Sequence, residues 1–204
     1  VDSFADWLRE IHEQGFRAKQ IIEWLWTKLE FDISKMSNLS LTLREKIKET
    51  FVVEPMTLHR VEVSSDGETQ KFLWRLHDGL FVESVLIGAP FRQTVCVSSQ
   101  VGCPARCAFC ASGKKGLVRN LSAAEIVYQI LAIQKRLSAD SGEKKITNVV
   151  YMGMGEPLLN WENRWRAGRS STMSRRQLAR PAARGRRPRL QGAAAGQPGV
   201  EGLL

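Results

Sequence analysis

The chain has 204 residues with 30 basic and 21 acidic side chains, for a formal charge of +9, and 43% of its residues are hydrophobic. That composition supports a buried core and excludes a wholly disordered chain. No apolar run reaches the roughly 18 residues needed to span a bilayer, and the opening Val1-Asp2-Ser3-Phe4-Ala5-Asp6 has no basic region followed by an apolar one, so neither a membrane association nor a secretory signal is expected.

Residues 4–51 show helical periodicity. Ser3 is placed to cap a helix with Phe4, Trp7, Leu8 and Ile11 on one face, ending near Gly15. A second helix is predicted from Arg17 to Leu29, a turn over Asp32–Met36, and a third helix from Leu41 to Phe51. The pattern then changes to period two. Met56–Val63, Thr69–Leu76, Leu80–Ile87 and Gln93–Ser98 read as strands, with hairpin turn chemistry at Ser65-Asp66-Gly67 and His77-Asp78-Gly79. A loop is expected over Ser99–Arg119. Ser122-Ala123-Ala124-Glu125 forms a capping box that opens a helix through Val127, Ile130, Leu131 and Leu137. Ile146–Met152 reads as the next strand. Strand, loop, helix and strand make a βαβ unit, which builds a parallel sheet and places its chemistry at the carboxyl ends of the strands.

The charge is unevenly spread. Residues 161–204 hold ten Arg, no Lys and two acids, a net of +8, so the first 160 residues carry only +1. The segment is dominated by Arg, Ala, Gly and Pro and shows no apolar periodicity after Trp165. It is expected to be disordered. Two origins fit it: a basic RNA-binding arm, or a stretch outside its proper reading frame, since those four residues have GC-rich codons.

All four cysteines fall within residues 96–110. Such clustering points to metal in a reducing compartment and away from a secreted disulfide framework. Cys103, Cys107 and Cys110 give the spacing C-x3-C-x2-C. A structural zinc site normally takes four ligands, and the three histidines His12, His59 and His77 lie far away in sequence. Three thiolates on one loop suit an iron–sulfur cluster with one iron left open.

This loop resembles the signature of the radical S-adenosylmethionine superfamily. The wider set, Cys96-Val-Ser-Ser-Gln-Val-Gly-Cys103 through Cys110, Asn120-Leu-Ser and Gly153-Met-Gly-Glu-Pro-Leu-Leu-Asn160, resembles one family within it, the dual-specificity adenine-C2 methyltransferases of 23S rRNA and tRNA. The similarity runs from the N-terminal helices to about Asn163. It implies an α/β fold: an N-terminal helical accessory domain (1–52), a β-rich hairpin linker (53–90), and the start of a partial (βα)6 barrel (91–163), broken off after its second strand, before the tail (164–204).

The resemblance also implies the chemistry. Cys103, Cys107 and Cys110 match the ligands of a [4Fe–4S] cluster that cleaves S-adenosylmethionine to a 5′-deoxyadenosyl radical. Gly155 and Glu156 match the loop that contacts S-adenosylmethionine. Glu83 matches the proposed general base for adenine C2. Cys96 matches the cysteine that resolves a methylene-bridged RNA adduct by forming a disulfide with a methyl-carrying cysteine. No cysteine follows Cys110 here, so the chain is expected to be inactive by itself. Family membership further implies a cytoplasmic monomer served by an electron donor such as flavodoxin. The related C8-adenine methyltransferases, a non-catalytic RNA-binding module and a zinc-binding protein are the competing readings.

Overall fold

In a computed structural model, which describes residues 2–141 and 144–178, the chain is an N-terminal helical unit followed by a mixed sheet backed by helices. No helix among the described residues is long and apolar enough to cross a membrane.

The helical unit holds α1 (Asp2–Glu10), α2 (Phe16–Ile22), which continues into a π-helical turn over Glu23–Thr27, a 3-10 turn over Ile33–Lys35, and α3 (Leu41–Thr50). α1 begins at Asp2, so Ser3 lies inside the helix and is not its cap. Ser40 does cap α3, its Oγ accepting from the Leu43 N–H at 3.2 Å. Leu8, Ile21, Ile33, Met36, Leu39, Leu43 and Ile47 form one buried cluster. The Trp and Leu stripe of the sequence therefore serves as core, with Trp7, Trp24 and Leu25 packed at its margin.

The sheet begins with β1 (Met56–Val63), β2 (Thr69–Leu76), β3 (Phe81–Ala89) and β4 (Arg92–Cys96). These pair antiparallel in sequence order. Gly67 and Gly79 take φ of 74° and 81° in the first two turns, the left-handed conformation those positions predicted. The chain next forms a small hairpin, β5 (Gln100–Gly102) and β6 (Leu117–Asn120), then α4 (Ala123–Ser141) and β7 (Asn148–Val150). β7 joins β4 in parallel, Thr94 opposite Asn148 and Cys96 opposite Val150. The order β1-β2-β3-β4-β7 shows that the expected linker strands belong to the same sheet as the first parallel pair. Pairing of β3 with β4 crosses the expected boundary at residue 90.

The capping box forms as predicted. Ser122 N–H donates to Glu125 Oε2 at 2.8 Å, and Glu125 N–H to Ser122 Oγ at 3.2 Å. α4 lays Ile126, Ile130, Ile133 and Leu137 against Phe72, Trp74, Val82, Leu86 and Val95 of the sheet, in a second buried cluster. Arg119 at the end of β6 donates to both oxygens of Glu125, at 3.0 and 2.9 Å, and to Asp78 at 2.6 Å. It thus ties the β2–β3 turn to the start of α4. The Arg119 guanidinium holds the Asp78 carboxyl below the usual range.

Two expectations are corrected. Ser99–Arg119 is not all loop, because β5 and β6 pair within it. The strands are too short to show alternation, and they close through Gly102 and Gly116, both at φ 73°. A Cβ on Gly102 would lie 2.0 Å from the Gly116 carbonyl oxygen, so only glycine allows this approach. The second correction concerns the tail. After a 3-10 turn at Pro157–Asn160, α5 runs from Trp161 to Leu178, through the point where disorder was expected to begin. Arg, Ala, Met and Gln are strong helix formers, and Ala167 is fully buried in the sheet's core cluster. Residues 179–204 of the expected tail lie outside the described residues.

Candidate functional site

The carboxyl ends of the parallel strands β4 and β7 meet at one rim. Beyond Cys96 the chain continues extended, with Val97 N–H donating to Val150 O at 2.9 Å and Gly153 N–H to Val97 O at 3.2 Å. The turn over residues 153–156 then folds back onto residues 98–100. Both Ser99 and Gln100 N–H groups donate to Met154 O, at 2.8 and 3.2 Å. Gly155 sits at φ 100°, outside the range that side chains readily adopt. The Glu156 carboxylate accepts from the Leu158 N–H at 3.1 Å and starts the following 3-10 turn.

Cys96 and Glu83 lie on the same face of the sheet. Val82, Ser84 and Leu86 are buried toward α4, so Glu83 and Val85 face the other way. Val85 is the register partner of Cys96, which makes Cys96 and Glu83 diagonal neighbours across β3 and β4. Lys71 of β2 approaches Glu83 at 3.5 Å and Glu62 at 3.0 Å, forming a row of charges on that face. Cys96 is buried, and burial pushes its thiol pKa up, offset in part by the Met152 backbone N–H.

Alkylation needs both access and thiolate. Iodoacetamide at pH 8 should therefore modify Cys96 on the order of tenfold or more slowly than the exposed Cys107. Peptide mapping by mass spectrometry checks the order, and urea should abolish the difference.

The three remaining cysteines occupy the tip of the β5–β6 hairpin. Cys103 is buried at the end of β5, its N–H donating to Gly116 O at 3.1 Å; Cys107 is exposed and Cys110 half-exposed. Cys110 N–H donates to Cys107 O at 3.0 Å, placing these two on one tight turn. Gly113 packs against the Arg106 backbone, 2.8 Å from where a Cβ would stand. Hydrogen bonds from the backbone and side chain of Ser112 lower the Cys110 thiol pKa. All four cysteines are free thiols. Among the described residues, no three His, Cys, Asp or Glu side chains are gathered closely enough to hold a metal ion. The loop thus brings the thiols into one hairpin tip without drawing them onto a common centre.

Residues 1–53 match the family model described as the ribosomal RNA large subunit methyltransferase N-terminal domain. A probable dual-specificity RNA methyltransferase, RlmN 2, of Protochlamydia amoebophila is 55% identical over 158 residues, covering 78% of this chain and 44% of that protein. Over that stretch the chain is a homologue of the dual-specificity RNA methyltransferases. The probable RlmN of Thermotoga maritima is 47% identical over 164 residues, covering 79% of this chain and 46% of the relative. A radical SAM methyltransferase from Sphaerobacter thermophilus, seen in a crystal structure, superposes with a TM-score of 0.77 at 42% identity, over 81% of this chain and 48% of that one. The chain spans about half the length of the curated relatives it matches.

The motif reading missed how the site is braced. Ser98, Gln100, Asn120, Gln129 and Asn160 all hydrogen-bond around the rim. The only sequence signal was that polar residues such as Gln129 fall on the apolar stripe of a helix, where they are buried and must find partners.

Proposed function

We propose that the chain carries the cluster-holding and base-presenting half of a radical S-adenosylmethionine methyltransferase acting on C2 of an adenine in 23S rRNA and tRNA. The observation that carries this reading is the convergence at one strand-end rim. Glu83 and Cys96 share a sheet face, the 153–156 turn folds over the end of the Cys96 strand, and the three-cysteine hairpin springs from the same segment.

The donor set fits a [4Fe–4S] cluster. Cys103, Cys107 and Cys110 are free thiols on one hairpin tip, and thiolates are the usual ligands of such clusters. When bound, the cluster supplies the electron for reductive cleavage of S-adenosylmethionine. The buried Ser99 hydroxyl, which has no hydrogen-bond partner among the described residues, suits a polar ligand at the rim. Glu156 is the carboxylate available to the ammonium of S-adenosylmethionine. Glu83 takes the proton from adenine C2, with the Lys71 ammonium 3.5 Å away. Cys96, once its thiol is uncovered and ionised, attacks the sulfur of the methyl-carrying cysteine in the adduct, so that an S–S bond forms as the sulfur–methylene bond breaks and its electron pair leaves with the RNA. No cysteine follows Cys110 within these 204 residues, so the methyl-carrying thiol must come from outside them. A flavodoxin-type donor in the cytoplasm would supply the electrons to a monomeric enzyme.

Anaerobic reconstitution with iron and sulfide tests the reading. The expected result is broad iron–sulfur absorption with iron in large excess over zinc. Cys103→Ser, Cys107→Ser and Cys110→Ser should each abolish it, while Cys96→Ser should leave it intact. Zinc in place of iron, or a cluster that needs Cys96, would sink the assignment.

A further inference from the structure

The three residues between Cys96 and β5, together with Gln100 at the start of β5, do more than connect two strands. The Ser98 side chain reaches two elements at once. Its Oγ donates to Glu83 O at 2.6 Å and accepts from Met154 N–H at 2.8 Å. Gln100 has no solvent exposure. Its Oε1 accepts from Glu156 N–H at 2.8 Å, and its Nε2 donates to Asn120 Oδ1 at 2.7 Å. Asn160 Nδ2 closes the far side by donating to Ser99 O and Leu121 O, at 2.7 and 2.8 Å.

Each glycine of the turn stands over one of these side chains. A Cβ on Gly153 would come within 2.7 Å of Ser98 Oγ, and one on Gly155 within 2.5 Å of Gln100 Cβ. The turn is therefore seated in two steps, Gly153 on Ser98 and Gly155 on Gln100. Ser98 and Gln100 are buried; the Ser98 hydroxyl accepts from the turn and donates to β3, whereas Gln100 uses Oε1 for the turn and Nε2 for Asn120. Their hydrogen bonds leave the Glu156 carboxylate free of both side chains while fixing the backbone that carries it.

We propose that Ser98 and Gln100 are positioning residues that hold the Gly153–Glu156 turn at a set height above the strand carrying Cys96, and that Ser98 ties that turn to the strand carrying Glu83. The step to cofactor binding rests on the reading of this turn as the contact for S-adenosylmethionine. Ser98 then links the cofactor's seat to the base, and Gln100 aims Glu156.

Amide hydrogen exchange of the full chain tests the clamp directly. Ser98→Ala should raise exchange at Met154, and Gln100→Met at Glu156, each by about fivefold, the effect of one lost hydrogen bond. Amides in the core of α4, such as Ile130, should exchange as in the wild type, which separates loosening of the turn from failure to fold. Ser98→Thr, which keeps the hydroxyl, should restore protection at Met154. Unchanged exchange at Met154 and Glu156 in the Ala and Met variants would overturn the clamp. Titration of the anaerobically reconstituted chain with S-adenosylmethionine then tests the consequence. Affinity should fall about fivefold in Ser98→Ala and Gln100→Met and recover in Ser98→Thr. Equal affinity in wild type and variants would overturn the positioning role. A wild-type chain that takes up no S-adenosylmethionine would overturn the reading of the turn as its contact, and the exchange result would still decide the clamp.

Discussion

Gly155→Ala should destabilise the fold by about 3 kcal/mol. Two costs combine. Gly155 takes φ 100°, where an L side chain crowds its own backbone. The added Cβ would also lie 2.5 Å from Gln100 Cβ, 2.8 Å from its Cγ and 2.8 Å from its backbone nitrogen. Gln100 has no room to retreat, because it is buried and bonded to Asn120. Gly168→Ala is the control: a Cβ there meets nothing within 4 Å, and its stability should stay near the wild type. Urea unfolding followed by tryptophan fluorescence measures both. A Gly155→Ala loss below about 1 kcal/mol would mean that the turn is not seated on Gln100 as described.

Gln129→Ala should cost about 3–5 kcal/mol, from a cavity together with stranded polar groups. Gln129 is fully buried on α4. Its Oε1 accepts from Ser84 Oγ at 2.6 Å and Ser98 N–H at 2.9 Å. Its Nε2 donates to Ser98 O at 3.1 Å and Glu125 O at 3.2 Å. Trp74 Nε1 extends the chain by donating to Ser84 Oγ at 3.1 Å. Gln129→Glu gives the sign a second check. A protonated glutamic acid can both accept and donate as the amide does, whereas burial disfavours the carboxylate and raises the folded pKa above the unfolded value of about 4.3. Its stabilising contribution is then full below the unfolded value and is lost as pH rises through the folded one. Gln129→Glu should be close to the wild type at pH 4 and strongly destabilised at pH 8. A pH-independent penalty would contradict the network.

The parts of this molecule that were legible in its sequence are the local ones. The Ser122–Glu125 box, the two glycine turns and the period-two strands each declare themselves within a few residues. Glu83 and Cys96, 13 residues apart, were candidates only through the family resemblance, and the sheet register puts them on one face. The β5–β6 hairpin was not legible, because strands of three and four residues carry too little alternation to register as a pattern. α5 was missed by weighing apolar periodicity alone and overlooking the helix propensity of a run with five Arg in 18 residues. The rim network was beyond reach for a different reason. Its bonds join groups 15 to 61 residues apart, and nothing local encodes them.

The segment between Cys96 and Cys103 has a fixed length for a mechanical reason. It is held at one end in the β3–β4–β7 pairing and at the other in β5, and between them by Glu83, Gln129 and the 153–156 turn. Adding or removing one residue would carry Ser98 or Gln100 off its partners in the turn, or Cys103 off Gly116. These six intervening residues are a ruler whose divisions cannot be changed one at a time.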